Sequence, residues 1–268
     1  MGVRNFALLL LVLLSGCTVS QQPYVVKIAL LAPFEGRYRE IGYDALYAAR
    51  LAIADSGYDH IDLLAIDDGG SIDSAIDRAR AIQYDPQIAF TLVLGLQATA
   101  SEVQAAFGQH PLVIIGHWNT QPRGENVVML ASREIATRLS QPQPTTITSL
   151  TEQTFPIVGS ELFALKQLPM LYADLSGFTL LSSAQLPDAD FTQRYLASDS
   201  FVPQPGLLST LTYDATRLAI KSIVNGTPLR DIQYEGINGT IAFDSDGYWQ
   251  AAPLYEYTYE NGELVIKP

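Results

Sequence analysis

The composition of this 268-residue chain excludes several classes of function before any motif is considered. The formal net charge is −12 and the pI is near 4.5, which argues against binding to nucleic acid or extensive contact with anionic lipid head groups. The length suits one large domain or two small lobes, each able to bury a core. Because Cys17 is the sole cysteine, the core must hold without an intrachain disulfide.

The first residues have the pattern of an export signal. Arg4 precedes an unbroken apolar run at residues 6–14, which is too short to span a bilayer permanently. The sequence LSGC at residues 14–17 resembles the lipobox of bacterial lipoproteins, in which the cysteine takes a diacylglycerol. We therefore expect a signal peptide over residues 1–16, a lipid on Cys17 and a lipidated polar tether over residues 17–23. The alternative is a secretory peptide with an incidental cysteine.

From residue 24 onward, strand-like and helix-like patterns alternate. Residues 24–32, 61–66, 89–94 and 111–115 have the pattern of strands, and residues 41–53, 72–82 and 100–107 that of helices. This alternation predicts an α/β fold, with a parallel sheet and helices on both faces. Ligands of such sheets bind beyond the carboxyl ends of the strands, so we expect a site at the loops 34–38, 67–70, 95–99 and 116–120.

These segments also carry a resemblance to a known family. The sequences LLAPFEGRYREIGYDALYAARLAI, AIDDGG, LVLGLQATASEVQAAF and PLVIIGHW lie in order between Lys27 and Trp118. They resemble the N-terminal lobe of type I periplasmic binding proteins, in particular the leucine/isoleucine/valine-binding proteins of ABC transporters. Near the C-terminus, LTYDATRL at residues 211–218 and GTIAFD at residues 239–244 resemble the returning helix and closing strands of that family. The resemblance covers a little over half of the chain.

The chain departs from this family in its middle section, where fewer residues are present than the family uses for its second lobe. Residues 138–156 contain three prolines and many Ser, Thr and Gln, which predicts a loop or connector. Residues 161–171 have the pattern of one helix, and residues 187–195 that of a short one. We predict a reduced second lobe over residues 121–206, while residues 24–120 and 207–268 form the first lobe with its closing strands.

The resemblance implies five ligand-binding residues. The family holds the carboxylate and ammonium of an amino acid at the loops after its third and fourth strands, which here contain Thr99 and the run Trp118, Asn119 and Thr120. Thr99 either offers a hydroxyl beside free N–H groups or merely caps the helix that follows. Trp118 departs from the small residues of the family, and either stacks on a flat ligand or is structural. Tyr38 lies where the family places an aromatic ring against the ligand side chain.

Patterns typical of enzymes and cofactor sites are weak in this sequence. It has no G-x-S-x-G elbow, no Walker loop and no G-x-G-x-x-G after the first strand. His60, His110 and His117 lack metal-ligand spacing, so we expect no metal and no cofactor. Asp67 and Asp68 are more typical of helix capping than of acid/base catalysis.

We therefore predict a non-enzymatic, extracytoplasmic substrate-binding lipoprotein, anchored to a bacterial membrane through Cys17. Its partners would be an ABC permease and a small polar ligand such as an amino acid or amide. The alternative is a ligand-free interaction or regulatory lipoprotein that retains the fold. The reduced second lobe favours this alternative, because closure of two lobes is how binding proteins of this type bury a ligand.

Overall fold

The computed structural model describes residues 25–139, 156–172 and 174–267. The predicted signal peptide, Cys17 and the tether lie outside these residues, as does most of the predicted connector at 138–156. The strands are β1 (Val26–Ala32), β2 (Ile61–Asp67), β3 (Ile88–Val93), β4 (Leu112–Ile115), β5 (Val127–Leu130), β6 (Ile157–Gly159), β7 (Phe178–Ser182), β8 (Tyr234–Gly236), β9 (Gly239–Ile241), β10 (Tyr255–Glu260) and β11 (Glu263–Ile266). The helices are α1 (Arg39–Ala54), α2 (Ile72–Tyr84), α3 (Ser101–Ala106), α4 (Arg133–Arg138), α5 (Leu168–Leu171), α6 (Ala189–Ala197) and α7 (Leu208–Asn225).

The first sheet is fully parallel, with strand order β2-β1-β3-β4-β5. Strands β4 (LVII) and β5 (VVML) are buried at every position, as expected for parallel strands that are covered on both faces. The ends of β1 to β4 agree with the predicted segments within two residues. The predicted parallel sheet with helices on both faces is confirmed.

Helices α1 and α7 pack closely against each other beside the first sheet. On α1, the small side chains of Ala45, Ala49 and Ala52 are fully buried. These small side chains let the two helix backbones approach. On α7, Leu211 and Leu218 are buried. Helix α7 contains the LTYDATRL sequence, so a late segment of the chain completes the core of the first sheet.

The second sheet has the order β11-β10-β7-β6, and in it only β6 and β7 are parallel. Its make-up differs from the predicted lobe boundaries in two ways. Strand β5, placed in the second lobe by the sequence, extends the first sheet, while β10 and β11, placed in the first lobe, pair with β7 in the second. The apolar VVML run continues the edge of β4, and the tyrosine-rich β10 continues the edge of β7.

The predicted helix over residues 161–171 is broken in the structure. Residues Glu161–Phe163 form one 3-10 turn, and α5 is a separate four-residue helix with Pro169 in its first turn. Proline has no N–H to continue a preceding helix, which explains the break. Helix α6 matches the second predicted helix, and Asp188 caps its N-terminus.

The two sheets share one hydrophobic core. Buried side chains of both sheets, such as Leu92 and Leu180, belong to a single contiguous cluster. The chain passes from the first sheet to the second after β5, returns through α7, and crosses again after Trp249, whose N–H donates to the Met129 carbonyl in β5. Among the described residues, no helix is both long and apolar enough to cross a membrane.

Candidate functional site

The carboxyl ends of β4 and β7 meet at a buried glutamate. Glu161 follows β6 and is fully buried. Its Oε2 accepts a hydrogen bond from the backbone N–H of His117 at 3.0 Å, and its Oε1 accepts one from the Ser182 hydroxyl at 2.9 Å. Since His117 follows β4 and Ser182 ends β7, one carboxylate joins the two sheets at the edge where such sheets bind ligands.

A second polar contact lies alongside. The backbone N–H of Ser132, after β5, donates to the hydroxyl of Ser183, after β7, at 2.8 Å. We call the five residues Glu161, His117, Ser182, Ser132 and Ser183 the inter-sheet seam. The seam replaces open space between the sheets with direct contacts of the protein with itself.

Burial sets the ionisation of the seam. It raises the pKa of Glu161 to about 7, although the N–H groups of His117 and Ser183 and the Ser182 hydroxyl oppose this rise. Burial also lowers the pKa of the His117 imidazole to about 4, so that ring is neutral at pH 7. The Nδ1 atom of His117 is buried without a hydrogen-bond partner among the described residues.

Gly116 allows this approach of the two sheets. Its φ is +78°, in the left-handed region that favours glycine. A Cβ at this position would lie 3.3 Å from Glu161 Cδ and 3.3 Å from a methyl group of Leu208. Any larger residue would therefore strain the backbone and press on the seam.

Two of the predicted ligand residues are engaged within the first lobe. Thr99 is fully buried, and its hydroxyl donates to the Gly95 carbonyl at 2.7 Å. Trp118 is also buried, and its indole N–H donates to the Ile115 carbonyl at 2.6 Å. These are the bonds of structural residues, since each hydroxyl or indole donor is satisfied by the backbone of its own turn.

The other predicted residues are more accessible. Asn119 has a φ of +55° and lies next to Thr120 in an open groove of about 530 Å³. The groove is lined by Leu96, Ala100, Ser101, Glu102, Trp118, Asn119, Thr120, Gln121 and Arg123. The structure thus brings Trp118, Asn119 and Thr120 together. Tyr38 is half-buried against the core on the loop after β1 and is outside this lining.

Gln104 organises the groove, and sequence reasoning missed it. Its buried side-chain amide donates to the Thr99 carbonyl, the Thr120 hydroxyl and the Gln121 carbonyl at 2.9 to 3.0 Å. Its Oε1 accepts from the N–H of Arg123 at 2.9 Å. One side chain therefore fixes the loop that carries Asn119 and Thr120. The signal in the sequence is faint, because a glutamine beside Val103 on a helix is unremarkable until the loop packs on it.

Among the described residues, a narrow space lies between the two lobes. A cavity of about 10 Å³ lies between Leu96, Trp118, Asn119, Leu139, Gly159, Ser160, Leu162 and Phe163. That is space for about one water molecule and far below what an amino acid needs.

A further set of contacts ties the second lobe to α1. The Lys166 N–H donates to Glu40 Oε1 at 2.7 Å, and its ammonium lies 3.5 Å from the Asp44 carboxylate. Burial raises the pKa of Asp44 to about 7, and the charge of Lys166 opposes that rise. The amide of Gln167 donates to the Arg37 carbonyl at 2.7 Å. The lobes are therefore closed on each other in this structure.

The paired aspartates hold turns. The predicted capping of the next helix is wrong, because Ser71 caps α2. Asp67 accepts from the N–H groups of Phe34 and Gly69 at 2.7 and 2.9 Å, and Asp68 accepts from that of Gly70 at 2.8 Å. Burial raises the pKa of Asp68. Within the described ranges, no group of three His, Cys, Asp or Glu side chains is arranged to hold a metal ion.

Comparison with known proteins bears on the fold. No protein-family model and no curated protein sequence matches this chain. Among solved structures, a leucine-binding protein from Thermotoga maritima superposes with a TM-score of 0.70 at 13% identity, over 91% of this chain and 98% of that one. A branched-chain amino acid transporter substrate-binding protein from Streptococcus pneumoniae, in complex with isoleucine, gives 0.63 at 14% identity, over 91% and 100% of the two chains.

A third similar structure is a solute-binding protein of an ABC transporter from R. palustris, in complex with benzoate. It gives a TM-score of 0.65 at 11% identity, over 90% of this chain and 95% of that one. Likeness at such low identity establishes the fold. The chain has the fold of the type I periplasmic binding proteins, as its sequence predicted.

Proposed function

We propose that this protein is an extracytoplasmic lipoprotein that binds a small solute for an ABC permease. The observation that carries the proposal is the fold, two sheets whose strand ends meet, together with the open groove beside that meeting point. In structures of this kind, solved neighbours hold isoleucine in one case and benzoate in another. The ligand class that we propose is a small polar molecule, either an amino acid or an amide.

The groove offers such a ligand a few polar groups on a firm base. Asn119 and Thr120 supply an amide and a hydroxyl, Arg123 lies at the rim, and Gln104 holds their loop in place. Because one side of the groove is open to water, the contacts compete with solvent. We expect dissociation constants in the micromolar range or weaker, about −8 kcal/mol or less favourable.

Isothermal titration calorimetry against amino acids, amides and benzoate tests the solute site. The expected result is a ligand whose affinity falls several-fold in Asn119→Ala and in Thr120→Ala, since both residues line the groove. Tyr84→Ala, which alters an exposed side chain on α2, is the control and should bind as the wild type does. Tight binding that both groove variants leave unchanged would place the ligand elsewhere.

The lipid on Cys17 is tested separately. Metabolic labelling with a radioactive fatty acid should mark the wild-type chain and leave Cys17→Ser unmarked. A wild-type chain that takes up no label would contradict the lipoprotein assignment.

A second candidate function is an interaction protein that keeps the fold without a ligand. It is favoured by the 10 Å³ space between the lobes and by the self-contacts of the inter-sheet seam. If a solute of the panel gives a heat of binding with the wild type and none with the groove variants, the first function is supported. If no solute gives a heat of binding, the second function is favoured.

A further inference from the structure

Glu161 has surroundings that are unusual for a carboxylate inside a protein. It is fully buried, and the groups within hydrogen-bond reach are donors from the ends of two different sheets. Burying a charge without partners is very costly, and here the partners come from elements that are far apart in the chain. The carboxylate and these donors therefore depend on each other, because an apolar side chain in its place would leave the His117 N–H and the Ser182 hydroxyl without this acceptor.

The donors around Glu161 would also suit a carboxylate that is not part of the chain. The His117 N–H projects from the turn after β4, and the Ser182 hydroxyl projects from the end of β7. The Ser182 oxygen in turn accepts the N–H of Ala184 at 3.0 Å, which orients its own proton towards Glu161. Two oriented donors on opposite walls form a small anion cradle between the sheets.

We propose that Glu161 is an internal occupant of a carboxylate-binding cradle between the two sheets, and that it latches the lobes shut in the absence of a bound solute. The latch must be displaced before the space between the sheets can admit a ligand. A ligand bearing a carboxylate is the class that competes for the same donors.

The remaining contacts between the lobes differ in burial. Arg138 and Glu256 meet at 2.7 Å, with each side chain about one-third exposed, and an exposed ion pair of this kind contributes little. The Lys166 ammonium lies 3.5 Å from Asp44, whose side chain is buried. Glu161 differs from both pairs because one fully buried side chain accepts donors from the two sheets.

Removal of the carboxylate should open the lobes. In Glu161→Ala, the donors of His117 and Ser182 lose their acceptor, and we expect the melting temperature to fall on the order of 5 °C. Solution X-ray scattering should show a larger radius of gyration. Iodide should quench the fluorescence of Trp118 several-fold more strongly, measured in a Trp249→Phe background so that one tryptophan reports.

A conservative variant separates the latch from simple core packing. Glu161→Gln keeps the volume, and its amide can accept from His117 while it donates to Ser182. This variant should retain the compact scattering profile and the protected Trp118. Asp214→Ala is the matched control for loss of a buried carboxylate, because Asp214 accepts N–H bonds from Ile237 and Asn238 within one lobe. It should lower stability without a change in radius.

Small carboxylates test the cradle itself. Acetate or propionate should raise the melting temperature of Glu161→Ala by several degrees and restore its compact radius, while sodium chloride at equal ionic strength should not. Leu162→Ala provides the control, since Leu162 is the adjacent, equally buried residue and its removal leaves a space without donors. Acetate should leave Leu162→Ala and the wild type unchanged.

Two outcomes would overturn the proposal. One is a Glu161→Ala protein that is less stable but has the radius and the Trp118 protection of the wild type. The other is a carboxylate effect that is equal in Glu161→Ala and Leu162→Ala.

The proposal rests on the proposed function only in that the solute would reach from the groove into the adjoining space between the sheets, with which the groove shares Leu96, Trp118 and Asn119. The opening and acetate experiments use no transported solute. A failed solute panel with a successful acetate rescue therefore removes the transport function and keeps the latch, whereas the reverse result removes the latch and keeps the solute site.

Discussion

The two sheets of this protein are built by opposite rules. The first has five parallel strands rich in apolar residues, with the strands β1 to β3 joined by the long helices α1 and α2. Among the described residues, the second has four strands in mixed orientation, taken from two distant parts of the chain, and the short helix α6 packs against α1. The strands of the first sheet follow one another along the chain, whereas the second sheet forms only when the distant strands β10 and β11 pair beside β7.

This difference explains where polar residues are found inside the protein. The first sheet is complete in itself, with its crossovers and with α7 against it. The second sheet rests on the first, and the inter-sheet seam satisfies the polar groups at that contact.

The largest effects on stability should come from matched large-to-small substitutions in the cores of the two sheets. Leu30 in β1 and Leu180 in β7 are both fully buried, and each change to alanine should cost about 3 kcal/mol of unfolding free energy. Because one hydrophobic core spans both sheets, differential scanning calorimetry should show a single transition that both variants lower. Two transitions, with Leu180→Ala shifting only one, would show that the lobes unfold independently.

The same contrast decides how much the sequence could predict. Strands β1 to β4 were placed within two residues, because an apolar run bounded by turn residues is a local signal. The strands that pair with β5 and β10 were not predicted, because strand pairing between distant segments leaves no local periodicity. Of the five predicted ligand residues, the consecutive Trp118, Asn119 and Thr120 line one groove. Gln104 and Glu161 were missed, since each is polar and becomes a buried centre only through tertiary contacts.

The next effect in size concerns the groove at the end of the first sheet. Gln104→Ala leaves the Arg123 N–H, the Thr120 hydroxyl and two carbonyls without their partner, and should cost about 2 kcal/mol. It should also weaken any ligand that contacts Asn119. Urea denaturation measures the first effect and calorimetric titration the second.

The control for this variant is Gln83→Ala, which alters an exposed glutamine on α2 and should stay within about 0.5 kcal/mol of the wild type. A loss in Gln104→Ala that is no larger than the loss in Gln83→Ala would mean that the loop holds its shape without the amide.

The pH dependence of stability tests how the inter-sheet seam joins the two sheets. The pKa of Glu161 is raised to about 7 from an ordinary value of 4.5. Its contribution to the free energy of unfolding is therefore fully present below pH 4.5 and is lost as pH rises through 7. The pKa of His117 is lowered to about 4, so this residue makes the protein more stable as pH rises from 4 to 6.5. The pKa of Tyr257 is raised, so Tyr257 does not titrate in this range. Wild-type stability therefore combines opposing trends.

The variant Glu161→Gln isolates the carboxyl, because His117 and Tyr257 are common to both proteins. Its stability relative to the wild type should increase between pH 4.5 and 7, by roughly 1 kcal/mol or more. Urea titrations at half-unit pH steps measure this difference. A difference that stays flat over the range would show that Glu161 titrates as an ordinary carboxyl.

The smallest expected effects come from one helix cap in each lobe. Ser71 caps α2 through Ser74 N–H at 3.2 Å, and Asp188 caps α6 through Phe191 N–H at 2.7 Å. Each change to alanine should cost about 1 kcal/mol, with Asp188→Ala the larger because the Asp188 charge also interacts favourably with the positive end of the helix dipole. Asp188→Asn keeps the hydrogen bond and loses the charge, so it should fall between Asp188→Ala and the wild type. Only the step from Asp to Asn should shrink in high salt, as urea denaturation at two salt concentrations would show. Equal costs for Ser71→Ala and Asp188→Ala at both salt concentrations would mean that charge does not distinguish the two caps.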